Sequence, residues 1–467
     1  MPTGDCFREA SCDERFFAYG EPEGGNGVNH TASEVLEFVR ENDVKFVRLG
    51  FCDLFGFQKN LSIMAEELPD AFENGVSFDA HAVKGFRGIM QSDLFLFPDP
   101  ATLTVLPWRP GPGRVARFYC DIKNPDGTPF AFDGRHILRR VVERCTKMGF
   151  VCKVGAECEF YLFKLGENGE PTQETLDRGG YLDISPLDKG ENMRREICLT
   201  LEEMGMRPES SHHEQGPGQN EIDFKISDAL SCADNLMTLK SVIKAVAARN
   251  GLFASFMPKP ISGAAGSGMH VNLSLSENGY NIFKNPSAGE HSKTAEGFMA
   301  GILSKTREIT LFLNPLANSY ERLGVYEAPR YVSWSHQNRS QLVRIPAAKD
   351  DRVRMELRSP DPSVQPYLAL ALILAAGLEG IENNLALPPA VDADLYTAGS
   401  DVTDGLELLP RSLDEAIALA RGSSLIGSVF GGELLEKYIA YKEAEAAAFD
   451  AAEDKPAFYR EQYFPFV

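Results

Sequence analysis

The sequence predicts an α+β protein in which a small β-rich unit precedes a larger mixed one, and three observations carry that prediction. Short apolar segments broken by Pro and Gly fill residues 45 to 121. Amphipathic or wholly apolar stretches of helical length recur from Arg135 onward. Several strand-like stretches beyond residue 150 carry charge on one face, where a simple packed sheet would be apolar.

Residues 1 to 30 have no sustained periodicity and end in a Gly/Glu/Pro-rich stretch, so a flexible arm is expected there. Thr31-Ala-Ser-Glu34 has capping-box spacing ahead of Val35, Leu36, Phe38 and Val39, which predicts a helix to about Glu41. Lys45 to Phe51 and Gln58 to Ile63 flank Cys52-Asp53-Leu54-Phe55-Gly56, a hairpin pattern with Asp53 near its turn. Leu94–Phe97, Thr102–Pro107 and Arg114–Asp121 read as further strands, punctuated by prolines. A boundary is expected at about residue 125, giving units 31–125 and 126–467. In the second unit Arg135–Lys147 predicts a helix leading into a strand, Val151–Phe163, and further helices are expected near 190–204, 228–250, 293–313, 366–382 and 432–449.

With 67 acidic and 47 basic residues the chain carries a net charge of −20, which weighs against non-specific binding to nucleic acid or an anionic membrane. Tyr367 to Leu378 is the longest apolar run, shorter than the roughly 20 residues that span a bilayer, and reads as a buried helix. Nine cysteines without CxxC spacing, and the absence of a secretory pattern at the start, predict a reducing, cytoplasmic setting.

Strand side chains alternate faces, so the charged positions can be assigned to faces. Glu157 and Glu159 share one face about 7 Å apart along the strand. His270, Asn272 and Ser274 share another, as do Glu221 and Asp223, and Arg354, Glu356 and Arg358. The loop before Glu221 carries Glu214. Any one of these patterns also fits an ordinary solvent-facing strand. Together Glu157, Glu159, Glu214, Glu221, Glu356 and His270 form a ligand set for two or three hard divalent ions, of the type Mg²⁺ or Mn²⁺. His212 and His213 lack the cysteines or His-x₃-His spacing of a zinc site and are read as supporting groups. Arg322, Arg339, Arg344, Arg354 and Arg358 lie within 37 positions, and converging arginines have anions to meet. Cations on one wall and arginines on the other suit phosphoryl transfer from a nucleotide to a carboxylate, although neither a P-loop nor a Gly-x-Gly-x-x-Gly turn is present.

From about residue 32 to the end the sequence closely resembles the bacterial-type glutamine synthetase family. The motifs include GFCDLFGFQKN (50–60), GAECEFYLF (155–163), SSHHEQGPGQNEIDFK (210–225), GSGMH (266–270), NSYERL (318–323), NRSQLVRIP (338–346) and RMELRSPDP (354–362). The resemblance implies an N-terminal β-grasp domain and a catalytic domain with a curved antiparallel sheet, assembled as a dodecamer of two hexameric rings with active sites between subunits. It implies an ATP-dependent ligase that forms glutamine from glutamate and ammonia through γ-glutamyl phosphate. Carried over by motif, Glu159, Glu214 and Glu221 hold one metal, and Glu157, His270 and Glu356 the other. Arg322 takes the glutamate α-carboxylate and Arg358 its side-chain carboxylate, with Gly266 also at the substrate. Asn272, Ser274, Arg339, Arg344 and Arg354 serve the nucleotide and its phosphates, and Arg339 the transferring group. Asp53 from the adjacent subunit, Tyr181 and Glu327 form the ammonium site.

This chain differs from the family pattern at Ala265, where members have asparagine, and in the one-residue-shorter segment Leu323-Gly-Val-Tyr326. Those differences motivate a second reading, a γ-glutamyl-amine or related carboxylate–amine ligase. A non-catalytic ring protein is the third.

Overall fold

The computed structural model describes residues 30–108, 113–284, 291–349 and 352–467. The arm expected over residues 1 to 30 lies outside them except for His30. Helix α1 (Ala32–Glu41) begins at the predicted capping box: Thr31 Oγ1 accepts from the Glu34 amide, and Glu34 Oε2 accepts from the Thr31 amide at 2.7 Å. Strands β1 (Val44–Cys52) and β2 (Gln58–Met64) form the expected hairpin, closed at Cys52 opposite Gln58. They are followed by α2 (Leu68–Asn74), β3 (Val76–Asp79), β4 (Asp93–Pro98), β5 (Thr104–Val105) and β6 (Arg114–Lys123). These strands make one sheet in the order β2-β1-β6-β4-β3, with β5 also on β6 and β1 parallel to β6. Two elements differ from expectation. The strand predicted over Thr102–Pro107 shrinks to β5, because Pro100 starts a short 3₁₀ turn through Thr102 and Pro107 offers no ladder donor. Helix α2 and the four-residue edge strand β3 were not expected; neither is long enough to set up a periodic pattern.

After α3 (Gly134–Lys147) the chain builds a second sheet around one long strand, β7 (Phe150–Leu165). Its other members are β8 (Pro171–Thr175), β9 (Pro208–His213), β10 (Gln219–Phe224), β11 (Ser227–Asp228), β12 (Leu252–Ser255), β13 (Met269–Glu277), β14 (Tyr280–Asn281), β15 (Trp334–His336), β16 (Val343–Ile345) and β17 (Met355–Leu357). The path is β15-β16-β17-β13-β7-β10-β9, antiparallel apart from the parallel pair β15–β16. Helices α4 (Glu191–Glu203), α5 (Ala229–Arg249), α6 (Lys293–Leu313) and α7 (Pro366–Glu382) fall where they were predicted. Of the last four, α8 (Leu413–Arg421), α9 (Ser424–Phe430), α10 (Gly432–Ala451) and α11 (Lys455–Gln462), only α10 was expected. Every residue from Pro366 to Leu378 is buried, as a helix apolar on all sides requires. Helix α6 crosses α7 so closely that a Cβ on Gly301 would lie 2.8 Å from Gly380 Cα. No helix among the described residues is long and apolar enough to cross a membrane.

The two sheets are joined by a buried ionic seam. Arg135, on α3, contacts Asp121 of β6 at 2.7 Å, Asp99 at 2.8 Å and Asp234 of α5 at 3.0 Å. The Asp53 turn packs against the segment before α7 at Gly56: its φ of +92° suits glycine, and a Cβ there would sit 2.9 Å from the Val364 carbonyl. Removing Arg135 from the seam leaves Asp234 without its guanidinium partner and Asp99 and Asp121 with Arg139 alone, and breaking a buried pair costs about 3–5 kcal/mol. Arg135→Ala is therefore expected to lower stability by that amount in denaturant unfolding, with Arg135→Lys recovering part of it. An unchanged unfolding midpoint would refute this account of the seam.

Candidate active site

Strand register, more than any loop, assembles the site. Glu157 on β7 stands opposite Asp223 of β10 on one side and His270 of β13 on the other. Glu159 stands opposite Glu221. Asn272 pairs with Glu356 of β17, which pairs in turn with Arg344 of β16. Directly opposed residues project to the same face, so five strands deliver their polar side chains to one surface. The intervening residues Ala156, Cys158, Ile222, Met269, Val271, Met355 and Leu357 are buried on the other face.

Two groups of potential ligands result. Glu157, His270 and Glu356 bring one donor atom each within 4.8 Å of one another, as do His212, Glu214 and Glu221. The first is the set named from the sequence. The second brings Glu214 and Glu221 together with His212, read from the sequence as a supporting group, whose ring nitrogens lie 3.4 Å from Glu221 and 3.6 Å from Glu214. Glu159 Oε2 instead accepts from Gln219 Nε2 at 2.8 Å and the Gly268 amide at 2.9 Å, at the edge of the same cavity.

Crowding of like charge dominates the electrostatics. Burial, reinforced by Glu214, pushes the Glu159 carboxyl up to about 8, with Arg322 opposing the shift. Burial and then Glu157 raise Asp223 to about 7, and burial with Asp223 and Glu159 raises Glu221 well above the carboxylate range. Burial would also raise Glu157, but bonds from His270 at 3.0 Å and Asn272 at 2.8 Å, with the Arg358 charge, carry it down to about 2. Burial and then Arg358 lower the His270 pKa, favouring the neutral imidazole that metals bind. Carboxylate oxygens with one imidazole per group fit a hard divalent cation, whose charge would ionise all of these acids.

Cations lie beside these carboxylates. Arg358 is fully buried and meets Glu356 Oε1 at 2.5 Å, while Arg344 meets Oε2 at 2.5 Å. Arg322, also buried, donates to the Ser359 carbonyl at 2.7 Å. Arg354 donates to Asn272 Oδ1 at 2.8 Å, and Arg339 lies 3.8 Å from Glu327. A cavity of about 380 Å³ is lined by Glu157, Glu159, Glu214, Glu221, His270, Arg322, Arg339, Arg344, Arg354, Gly266, Tyr181 and Glu327. A second cavity of about 520 Å³ shares Glu157, Asp223 and Arg354 with it and is lined by Asn272 and Ser274. The residues assigned to phosphates thus fall between the two.

The segment Leu323–Tyr326 is held over the first cavity. Tyr326, at φ +54°, hydrogen-bonds the Gly263 carbonyl, and Gln215 Nε2 donates to Glu327 Oε1 at 2.9 Å. Asp53 is absent from this cavity. It is 1% exposed in its own turn, where Oδ1 accepts from the Phe55 and Phe57 amides at 3.0 and 2.9 Å and Oδ2 lies 3.5 Å from Lys59. Gln219, which positions Glu159, was missed in the sequence, although its alternation with Glu221 and Asp223 marks the same face. Behind the site, buried Asp177 accepts from His213 at 2.9 Å and from the amides of Gly179, Lys189 and Gly218, tying the Tyr181 loop to the Glu214 loop. No local pattern signals that network.

Comparison with known proteins agrees with this geometry. Residues 43–125 match the model of the glutamine synthetase β-grasp domain, and residues 131–460 that of the glutamine synthetase catalytic domain. The chain is 47% identical over 423 residues to the glutamine synthetase of Clostridium saccharobutylicum, covering 90% of this chain and 95% of that relative. It is 46% identical over 419 residues to the glutamine synthetase of Methanosarcina mazei, covering 89% and 94%. Among solved structures, GmaS in complex with ADP superposes with a TM-score of 0.83 at 30% identity, covering 92% of this chain and 99% of that one.

If the carboxylate groups hold cations in the folded chain, titrating metal-free protein with MnCl₂ stabilises it, by about 2.7 kcal/mol at a hundredfold excess over Kd. His270→Ala is expected to remove most of that gain in thermal unfolding. A variant stabilised as much as the parent would show that the ions bind elsewhere.

Proposed function

The chain belongs to the glutamine synthetase family, and from that premise we propose that it joins ammonia to glutamate to form glutamine, using ATP, with a γ-glutamyl phosphate between the two steps. The observation that carries this reading is the cluster of Glu157, His270 and Glu356 beside a cavity that Glu157 and His270 line together with Arg322, Arg339, Arg344 and Arg354. Mg²⁺ or Mn²⁺, two or three per site, would be held by Glu157, His270 and Glu356 and by Glu214 and Glu221 with His212 or Glu159. Bound there, the ions would offset negative charge on the phosphates.

The residues of the chain do the positioning. Arg322 binds the glutamate α-carboxylate and Arg358 orients the γ-carboxylate, which attacks the terminal phosphorus of ATP; the new O–P bond forms as the bond to ADP breaks. Arg339, Arg344 and Arg354, with Asn272 and Ser274, hold the nucleotide and spread the charge of the transferring group. Ammonium has no lone pair, so a carboxylate must bind it and then accept a proton before nitrogen attacks the acyl carbon and phosphate departs. Glu327 and Tyr181 line that end of the cavity, and Asp53 is assigned as the base donated by a neighbouring subunit. The segment carrying Tyr326 keeps water from the acyl phosphate.

On the same reading the chain divides at about residue 125, assembles as a dodecamer of two hexameric rings and works in the cytoplasm. Ala265 and the shortened segment before Glu327 keep one alternative in view, a ligase that uses an organic amine. The two are separated by incubating the protein with ATP, glutamate and either ammonium or a panel of amines and weighing the product: ammonium-dependent glutamine supports the proposal, and amide formed only with an organic amine replaces it. Glu327→Ala is expected to leave ATP binding intact and lower amide formation by about 10²–10⁴-fold. Undiminished amide synthesis would remove Glu327 from the mechanism.

A further inference from the structure

A third cavity, of about 430 Å³, lies where the β1–β2 hairpin meets α5 and the C-terminal segment. Its size is within the usual range for small-molecule sites. Its charge is opposite to that of the chain as a whole. In a protein with 67 acidic and 47 basic residues, Arg48, Lys59, Arg117, Lys240 and Lys244 line this cavity and no Asp or Glu side chain does, while the last residue, Val467, is also on its wall; Lys59 pairs with Asp53, and Arg117 donates to Thr104 and Thr238.

Lys240 and Lys244 are one turn apart on α5 and therefore share a face. Each lies over the Phe256 ring, at 5.8 and 5.7 Å. Their ammonium groups donate to main-chain carbonyls, Lys240 to Val364 at 3.5 Å and Lys244 to Phe466 at 3.0 Å, and neither is in an ion pair among the described residues. Burial lowers the pKa of both, and the Lys240 charge lowers Lys244 further, to about 8. Two like charges on one helix face, half-withdrawn from water, are unfavourable until an anion joins them. The other wall is apolar, with Trp108, Met204 and Met237.

We propose that this cavity is a binding site for a small organic anion, its phosphate or carboxylate head on Lys240 and Lys244 and its planar apolar body against Trp108 and the methionines. The site is separate from the cavities assigned to glutamate and ATP and shares no lining residue with them. It does share Lys59 with the Asp53 turn, because Lys59 lines the cavity and lies 3.5 Å from Asp53. An anion that draws Lys59 toward itself weakens that ion pair, so occupancy is felt at the turn.

The test uses the full chain carrying Trp334→Phe, which leaves Trp108 as its single tryptophan because the sequence has two. Phenyl phosphate and phenylacetate are titrated separately while Trp108 emission is followed, with neutral benzyl alcohol as control. A saturable change with either anion and none with the alcohol is expected, and the responding anion identifies the head group. The double variant Lys240→Met, Lys244→Gln should bind at least tenfold more weakly, and Lys244→Arg should retain binding. Its thermal unfolding is measured alongside, and Lys244→Gln alone, expected to weaken binding severalfold, takes its place if the double variant does not fold. No saturable response to either anion, or equal affinity in the lysine variants, overturns the proposal.

Discussion

Holding many like charges on one face of a partly buried sheet is the constraint to which the rest of this structure answers. Strand β7 sets Glu157 and Glu159 side by side, and its neighbours add Asp223, Glu221 and His270 in register. Each buried ion carries a desolvation penalty of several kcal/mol, so such a face persists only where donors and countercharges surround it. The structure supplies them unevenly: Glu157 is pulled down to about 2 by its hydrogen bonds, while Glu159 and Asp223 are pushed up to about 8 and 7. Neighbouring acids held so differently are poised to take a cation.

That polar face is affordable because everything behind it is apolar. The alternate residues of β7, β10, β13 and β17 enter the core, which α7 fills from within. The arginines have two uses in the same geometry. Arg344 and Arg358 neutralise Glu356, and Arg344 also lines the first cavity.

Much of the architecture was legible because its signals are local. The Thr31–Glu34 capping box, the Asp53 hairpin and the apolar run in α7 each lie within a few turns or pleats of chain. Helix α2, β3, α8 and α9 escaped notice because they are short, and short elements are held by neighbours more than by their own periodicity. The contacts of His212 were not legible for a different reason. Its neighbours in sequence argue against zinc, but its contacts with Glu214 and Glu221 arise from the pairing of β9 with β10.

The sequence by itself determined which side chains share a strand face, since alternation follows from covalent geometry, and its motifs placed the chain in its family. Tertiary structure decided which faces meet. His270 and Glu157 are 113 positions apart, and whether they touch depends on the register of β13 on β7, set by non-local hydrogen bonds and core packing. The same holds for Asp53, whose carboxylate is folded into its own turn, and for the cation-lined cavity, whose walls come from several separate stretches of the chain. Local pattern specifies direction, and only long-range packing specifies neighbours.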